Sequence, residues 1–482
     1  MRKTKIICTL GPASEKPEII EQMIRAGTDL FRLNMSHASH EWVRRIVPLV
    51  REIAQKLNRA VAILMDTQGP AIRTGMVAAD IPLAVDDVLE FTVRDAAPNE
   101  SKSVSVNYDG LIEDVQVGCT MLVDNGVLRT EVVEKGKDRM RTRVLTQGVL
   151  GSRRHINLPG VRVNLPPMTE KDLQDVALGA ELEVDFVALS FTRQRSDLDQ
   201  LRAELRRRGS TAGVIAKIET QSAVEVIDEM IEGADAILIA RGDLGIECPM
   251  EELPIIQRRI VRRCLRQAKP VIVATHLLES MVENPVPTRA EVTDVANAAF
   301  EQADAMLLTG ETTSGRYPVE CVKVLSRIAT RIEGSGSFPH EPMLTDIRQK
   351  TVAAAVTLAN SLPKSKLIVF TRHGTMARYV SNLRPERAEI FAFTPSEHVF
   401  RQLALCWGTT PLQLDFVGEP NRVIEAAERA LHDAGLTRAG DALVIVSDVR
   451  AGGSLFDSVQ VRHARDLSGS MGERSAADSM MD

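Results

Sequence analysis

AILIARGDLGIECP, residues 236–249, joins a short apolar run to a charged turn punctuated by glycine. Ile237-Leu238-Ile239 is apolar without alternation, as in a strand buried on both faces, and the run stops at Ala240. Arg241, Gly242, Asp243, Leu244 and Gly245 follow at once. Gly-Asp is a common turn and an Asp after a strand often caps a helix, so this stretch alone does not require chemistry. The rest of the chain changes that reading. DFVALSF (185–191), GVIAKIE (213–219), PVIVATH (270–276) and DAMLLTG (304–310) have the same form: a buried strand, a polar end, then a helical pattern. KIICTL (5–10), DLFRLN (29–34) and AVAILMD (60–66) add three more upstream. Eight βα units predict a closed (β/α)8 TIM barrel.

The rhythm breaks once. From 70 to 165 helical periods vanish, and short alternating pieces such as VLEFTV, SVSVN, LRTEVVE and MRTRVLT are separated by Gly, Asp and Asn. These predict a small β-barrel domain inserted after the third strand, between barrel segments 1–69 and 166–340. Beyond Gly334-Ser335-Gly336-Ser337, KLIVFT, EIFAFT, TPLQL and ALVIVS alternate with helical stretches, predicting a C-terminal three-layer α/β domain over 341–465. The tail 466–482 is rich in Ser, Gly, Met and charge and is expected to be disordered.

Composition narrows the function. The 482 residues carry a net charge of −6, and aromatic residues make up only 4%. No basic field or base-stacking platform for nucleic acid is expected, and no apolar run reaches the ~20 residues needed to cross a bilayer. The N-terminus shows no signal-peptide pattern. Cys8, Cys119, Cys248, Cys264, Cys321 and Cys406 are scattered without metal-like spacing. Reduced thiols in a cytoplasmic protein are the expectation.

In a TIM barrel, chemistry belongs at the C-terminal ends of the strands. In chain order those ends carry Arg32, Asn34 and Ser36; Asp66 and Thr67; Ser190; Lys217 and Glu219; Asp243; Thr275; and Glu311. Lys217 and Glu219 alternate with Ile218, so both point to one face. Glu219 with Asp243 on the next strand suits one Mg²⁺, and a structural Lys217–Glu219 ion pair is the alternative. Arg32 offers a planar donor fork for phosphate. Asn34, Ser36, Asp66 and Thr67 are oxygen donors with at most one charge, which suits a monovalent cation or a solvated polar cluster. Thr275 suits one end of a water relay. Together the groups point to phosphoryl transfer, where positioning and charge neutralisation carry most of the catalysis.

FRLNMSHAS, LMDTQGPAIRTG, HINLPG, AKIE, ARGDLG, VATHLLESM, NPVPTRAEVTDVANA and LLTGETTSGRYP stand in one order along the chain, and over about residues 1–465 it resembles the pyruvate kinases. The resemblance implies transfer of the phosphoryl group of phosphoenolpyruvate to ADP, giving pyruvate and ATP in glycolysis. It assigns Lys217 to the phosphoryl group in transfer, Arg32 to the substrate phosphate, and Glu219 and Asp243 to Mg²⁺ (or Mn²⁺). Gly242, Thr275 and Ser190 fall at the substrate, with Thr275 on the proton route to the enolate carbon. Asn34, Ser36, Asp66 and Thr67 match K⁺ ligands. His37, Arg73 and Arg154, with Asn34, match nucleotide contacts. A homotetramer is the family's usual assembly, and the β domain would act as a lid.

The chain departs from the family pattern in places. Gln68 and Ala71 stand where DTKGPEIRTG has Lys and Glu; Ala71 lacks the charge that accompanies K⁺ dependence or independence, and leaves that requirement open. His276 replaces a usual Gln, Asn125 a usual Asp, and Thr309 a usual Ser. In TRHGTMAR (371–378), Thr371, Arg372, His373, Gly374 and Thr375 form a candidate loop for a phosphorylated effector, with simple packing as the alternative. VRAGGSLFDSVQV (449–461) is read as a loop that lacks the family's usual sequence. A regulatory paralogue would predict loss of Lys217, Glu219, Asp243 or Arg32, and all four are present. A Mg²⁺-dependent barrel lyase would have no use for the lid.

Overall fold

The computed structural model describes residues 2–336, 342–451 and 454–465. The expectation for the tail 466–482 falls outside them. Strands β1 (Lys5–Thr9), β2 (Leu30–Asn34), β3 (Ala62–Asp66), β4 (Phe186–Leu189), β5 (Gly213–Ile218), β6 (Ala236–Ala240), β7 (Val271–Ala274) and β8 (Ala305–Leu308) close into a barrel in sequential order. Every neighbouring pair is parallel, β8 with β1 included.

Period-2 alternation decides what the barrel encloses. Ile7, Leu30, Leu64, Ala188, Ile215, Leu238, Ile272 and Leu307 pack inside it, while Ile6, Phe31, Ile63, Val187, Val214, Ile237, Val273 and Met306 pack outward against the helices. Two residues further along the inward face come Thr9, Arg32, Asp66, Ser190 and Lys217. The top of the barrel interior is therefore polar because the pleat runs on past its apolar layer.

The barrel floor has its own repeat. Asp29, Asp185, Asp235 and Asp304 immediately precede β2, β4, β6 and β8. Each accepts a hydrogen bond through Oδ2 from a backbone N–H of the preceding strand: Ile6 at 2.9 Å, Ile63 at 2.8 Å, Val214 at 2.8 Å and Val271 at 3.0 Å. Four aspartates thus tie odd strands to even ones where the ladder begins.

The insertion after β3 is all β. Its main sheet has six strands, with Thr120–Val123, Leu128–Lys135, Arg139–Val144 and Val88–Thr92 as its antiparallel centre, and Ile81–Leu83 pairs with Gly148–Leu150 beside it. Both pieces share a core around Leu89, Phe91, Met121 and Met140. The return to the barrel ends in a capping box at Thr169, whose Oγ1 accepts from Asp172 N while Asp172 Oδ2 accepts from Thr169 N.

The C-terminal domain is a five-stranded sheet in the order β11 (Thr409–Gln413), β10 (Glu389–Thr394), β9 (Lys366–Phe370), β12 (Ala442–Ala451), β13 (Ser454–His463). Helices Ile347–Ser361 and Thr375–Asn382 cover one face and Pro420–Asp433 the other. Here the sequence reading needs correction. Most of VRAGGSLFDSVQV is strand, because β13 pairs antiparallel with β12 over its full length from Ala451↔Ser454 to Ala442↔His463. The domain plugs the barrel floor: Ala404 and Leu405 join the barrel's inner core, and Arg401 and Arg384 reach Asp185 and Asp304 at 2.7 and 2.9 Å.

Candidate active site

The polar layer at the barrel mouth is built around Asp66, which is 1% exposed. Arg32 Nε donates to Asp66 Oδ2 at 2.6 Å, and Lys217 Nζ lies 3.2 Å from Oδ1. The ammonium also lies 2.8 Å from Glu219 Oε1 and donates to Ser190 Oγ at 2.7 Å. Lys217 thus has one partner for each of its three protons. Ser190 bridges the strands, donating to Asp66 Oδ1 at 3.2 Å and to the Thr67 carbonyl at 2.7 Å. Burial alone would lower the Lys217 pKa, but the carboxylates of Asp66 and Glu219 outweigh it and hold the ammonium above its ordinary value. Burial likewise works against an ionised Asp66, and Lys217 and Arg32 overcome it, keeping that carboxyl below the usual range.

Glu219 behaves differently. Burial is the largest influence on it, and the charge of Asp243 adds to burial against the pull of Lys217, so its carboxyl is pushed up to about 7. Its Oε2 accepts from the backbone N–H of Phe191 at 2.5 Å. Asp243, one strand over and half-exposed, makes no hydrogen bond or ion pair among the described residues. A carboxylate whose ionisation is opposed by burial and by a neighbouring carboxylate is what a divalent cation relieves. No group of three His, Cys, Asp or Glu side chains converges as a metal cage among the described residues. A pair of carboxylates plus substrate oxygens is the usual environment of Mg²⁺.

Gly242 N–H donates to Thr275 Oγ1 at 2.7 Å, and that hydroxyl donates to the Ala274 carbonyl at 2.6 Å. A Cβ on Gly242 would find its nearest protein atom 3.5 Å away, so protein packing does not demand glycine there. The demand is left to whatever binds in the cleft. Thr275 and His276 have φ of 69° and 54°, and Phe191 has φ of 53°. Left-handed backbone at a β-branched threonine is an outlier costing about 1–3 kcal/mol.

Arg241 borders this cleft, but its guanidinium is committed to the scaffold. It is 7% exposed, and its guanidinium engages the Ala274 and Thr275 carbonyls and Asp294. Sequence reasoning gave it no role, because nothing local shows which way a residue after a strand will point. Asp172 was missed too: its Oδ1 accepts from Gln68 N at 3.0 Å and Gly69 N at 3.1 Å, pinning the entry to the lid. Its T-x-x-D spacing marks a helix start and no more. Glu311, fully buried, accepts from Leu278 N and Thr309 N, which is a scaffolding role.

The remaining candidates sit around the rim. Asn34 Oδ1 accepts from Ser36 N at 3.2 Å; Ser36 and His37 are exposed. Thr67 Oγ1 donates to the Ala188 carbonyl at 3.1 Å. Arg73 and Arg154 are exposed on the lid, where Arg73 pairs with His155 across a β-bridge and Arg154 Nη1 lies 3.3 Å from Asp124. A cleft of about 770 Å³ runs between lid and barrel, with Asn125, Arg129 and Pro159 on one wall and Gly242 and His276 on the other. Thr371 and Gly374 are buried, and Arg372 and His373 are exposed, in the C-terminal domain, where Gly374 with φ of 79° opens helix Thr375–Asn382.

A family model described as the pyruvate kinase barrel domain matches residues 1–322, and one described as the pyruvate kinase alpha/beta domain matches residues 349–461. The chain belongs to the pyruvate kinase family. It is 40% identical over 466 residues to the pyruvate kinase of Geobacillus stearothermophilus, covering 94% of this chain and 78% of that one. The pyruvate kinase of Staphylococcus aureus strain MRSA252 is 38% identical over 464 residues, with the same shares covered. A crystal structure of a pyruvate kinase from Cryptosporidium parvum superimposes with a TM-score of 0.89 at 32% identity, covering 96% of both chains. The chain is accordingly an enzyme of the pyruvate kinase reaction, with the family's barrel, inserted β domain and C-terminal α/β domain in place. Among its described residues no helix is long and apolar enough to cross a membrane.

Proposed function

We propose that the polar layer at the barrel mouth moves the phosphoryl group of phosphoenolpyruvate to ADP, with Lys217 and Arg32 as the cations that follow it. In that step the bond from phosphorus to the enol oxygen breaks and its electron pair stays on that oxygen. A terminal oxygen of ADP bonds to phosphorus, and C3 of the resulting enolate takes one proton to give pyruvate. The observation that carries this reading is the buried Lys217 ammonium, held at 2.8 Å from Glu219 and 3.2 Å from Asp66 at the barrel mouth. Of its three partners only Ser190 is neutral, so an incoming phosphoryl oxygen replaces the serine at least electrostatic cost.

Arg32 keeps Nη2 for substrate once Nε and Nη1 are taken by Asp66 and Thr9. Glu219 and Asp243 would hold Mg²⁺ (or Mn²⁺). With all five groups ionised, two cations face three carboxylates, and the site repels a phosphate until a divalent ion reverses its sign. The ion neutralises charge on the phosphoryl oxygens when bound. Gly242 and Thr275 would face the substrate, with Thr275 on the route by which C3 is protonated. Asn34, His37, Arg73 and Arg154 would contact the nucleotide as the lid comes down, excluding water. Asn34, Ser36, Asp66 and Thr67 would hold K⁺, with Asp66 sharing lone pairs already used by Arg32 and Lys217. Loop 371–375 would take a phosphorylated effector, and the working form would be a cytoplasmic homotetramer.

The experiment is pyruvate formation from phosphoenolpyruvate with and without ADP, Mg²⁺ and K⁺. Strict dependence on ADP and Mg²⁺ is expected. Turnover without ADP would overturn the reading. Activity retained without K⁺ would remove the K⁺ assignment alone.

A further inference from the structure

Beyond these roles, the geometry points to Arg241 as a positioning residue for Thr275. The inference rests on the reading of Thr275 as the group at the enolate carbon. Arg241 is the first residue after β6, and its side chain runs beneath the loop that ends β7. Nε donates to the Ala274 carbonyl at 3.2 Å and to the Thr275 carbonyl at 3.2 Å, and Nη2 donates to the Thr275 carbonyl at 2.5 Å. Nη1 donates to Asp294 Oδ1 at 2.7 Å and to Gln257 Oε1 at 3.4 Å. Gln257 is held in turn, its Nε2 donating to Glu301 at 2.9 Å. The guanidinium is thus anchored on helices Leu253–Arg266 and Arg289–Phe300 and applies its other edge to two consecutive carbonyls.

Those carbonyls flank the strained residues. A threonine at φ 69° followed by a histidine at φ 54° does not hold that shape unaided. The next residue in sequence after Arg241, Gly242, gives its N–H to Thr275 Oγ1 at 2.7 Å. One dipeptide therefore fixes the threonine from both sides: the arginine by its backbone, the glycine by its hydroxyl. A lysine in place of Arg241 could reach one carbonyl but not two together with Asp294, because the planar fork is what spans them. Arg241 touches neither substrate nor metal in this arrangement; it acts through Thr275.

The test uses the full-length enzyme with Arg241→Lys, Arg241→Gln, Thr275→Ala and the double variant Arg241→Gln/Thr275→Ala. Two quantities are measured: steady-state kcat and KM with phosphoenolpyruvate, ADP and Mg²⁺, and exchange of the pyruvate C3 protons with D₂O in the presence of Mg²⁺ and ATP. A misplaced proton-transfer group is expected to cost about 10- to 100-fold. Arg241→Gln should lower kcat and C3 exchange together by that factor, with KM for ADP changed less than about twofold, and Arg241→Lys should fall between it and the parent. The double variant should be no slower in exchange than Thr275→Ala alone, because the arginine has nothing left to position. Multiplicative losses in the double variant, or a KM effect with exchange intact, would overturn the inference while leaving Thr275 in its role. Normal exchange in Thr275→Ala would overturn the Thr275 reading and the inference with it. If Arg241→Gln does not fold, Asp294→Asn, which keeps an acceptor at Nη1 but removes its charge, decides by the same pattern at smaller amplitude.

Discussion

Lys217 shows how much one residue of this site carries. Its ammonium is the counter-charge of two carboxylates that are 1% and 2% exposed at the side chain. Lys217→Met leaves both without it, and breaking a buried pair this way costs about 3–5 kcal/mol. The loss should depend on pH. A carboxyl whose folded pKa is raised above its unfolded value binds more protons folded than unfolded, so stability falls as pH rises through the raised value. Glu219 is already pushed up to about 7 with Lys217 present, and removal of the lysine pushes it further. The Glu219 share of the Lys217→Met deficit is therefore expected to open above about pH 7, where the parent carboxylate ionises. The share from Asp66, which also loses its counter-charge, is already present at pH 5. Thermal melts from pH 5 to pH 9 would register both. The variant's kcat should drop by about 10³-fold, the scale lost with a charge-stabilising group. Asp243→Asn removes the other electrostatic partner of Glu219. It should weaken Mn²⁺ binding, read by electron paramagnetic resonance of the free ion, by about 10- to 100-fold. An unchanged affinity would remove Asp243 from the metal.

At the scale of elements, the four floor aspartates allow a graded prediction, because the same backbone bond is made in four electrostatic settings. Asp304 pairs with Arg384, and the two side chains are 4% and 2% exposed. Asp304→Ala should cost about 3–5 kcal/mol by leaving that arginine buried without its counter-charge. Asp235 pairs with Arg202 where both are far more exposed, at 40% and 28%. Its replacement should cost only about 1–2 kcal/mol, a screened surface pair plus one hydrogen bond. Chemical denaturation of the two variants compares them directly. Asp29 adds a pH signature. Burial opposes its ionisation, yet Arg2 and Lys5 hold its pKa below the ordinary value, so its stabilisation is lost as pH falls below about 4. Asp29→Asn should flatten that acid limb.

The elements also show what a sequence can and cannot tell. Eight strand–helix units, and the parity that puts Arg32, Asp66, Ser190, Lys217 and Glu219 on the inner face, follow from counting by two along apolar runs. The aspartate before each even strand is visible as TDLF, VDFV, ADAI and ADAM. Its partner strand is not visible, since the bond crosses to a different βα unit. β13 was lost because glycines in AGGS read as a loop while the pairing that makes a strand of the segment lies in β12. Arg384 and Arg401 meet their aspartates from 80 and 216 residues away, with no local sign of either contact.

For the molecule as a whole, the question is how the inserted β domain, the proposed lid, is tied to the barrel mouth. The loop after β4 makes that connection within four residues. Ser190 Oγ accepts a hydrogen bond from Lys217, and Phe191 N–H donates to Glu219. Arg193 then donates through Nη1 to the Val163 carbonyl at 2.8 Å and through Nη2 to the Leu165 carbonyl at 2.5 Å, on the irregular segment returning to the barrel. The outgoing segment is packed on the same loop: a Cβ on Gly69 would lie 2.9 Å from both the Phe191 ring and Ser190 Cβ. Movement of either connecting segment is thereby felt where Lys217 and Glu219 are held. Arg193→Gln releases the return segment, and with it the ion pair to Asp197, without replacing a group at the barrel mouth. The lid should then sample open positions more often, and the nucleotide, which in the proposed function contacts Arg73 and Arg154 of the inserted domain, should suffer before phosphoenolpyruvate does. KM for ADP is expected to rise about 10-fold, the equivalent of about 1.4 kcal/mol of lost closure, with KM for phosphoenolpyruvate nearly unchanged. Faster hydrogen exchange in residues 158–165 should accompany it. Equal rises in both KM values would mean that the arginine supports the barrel mouth directly and that the return segment is not the point of coupling.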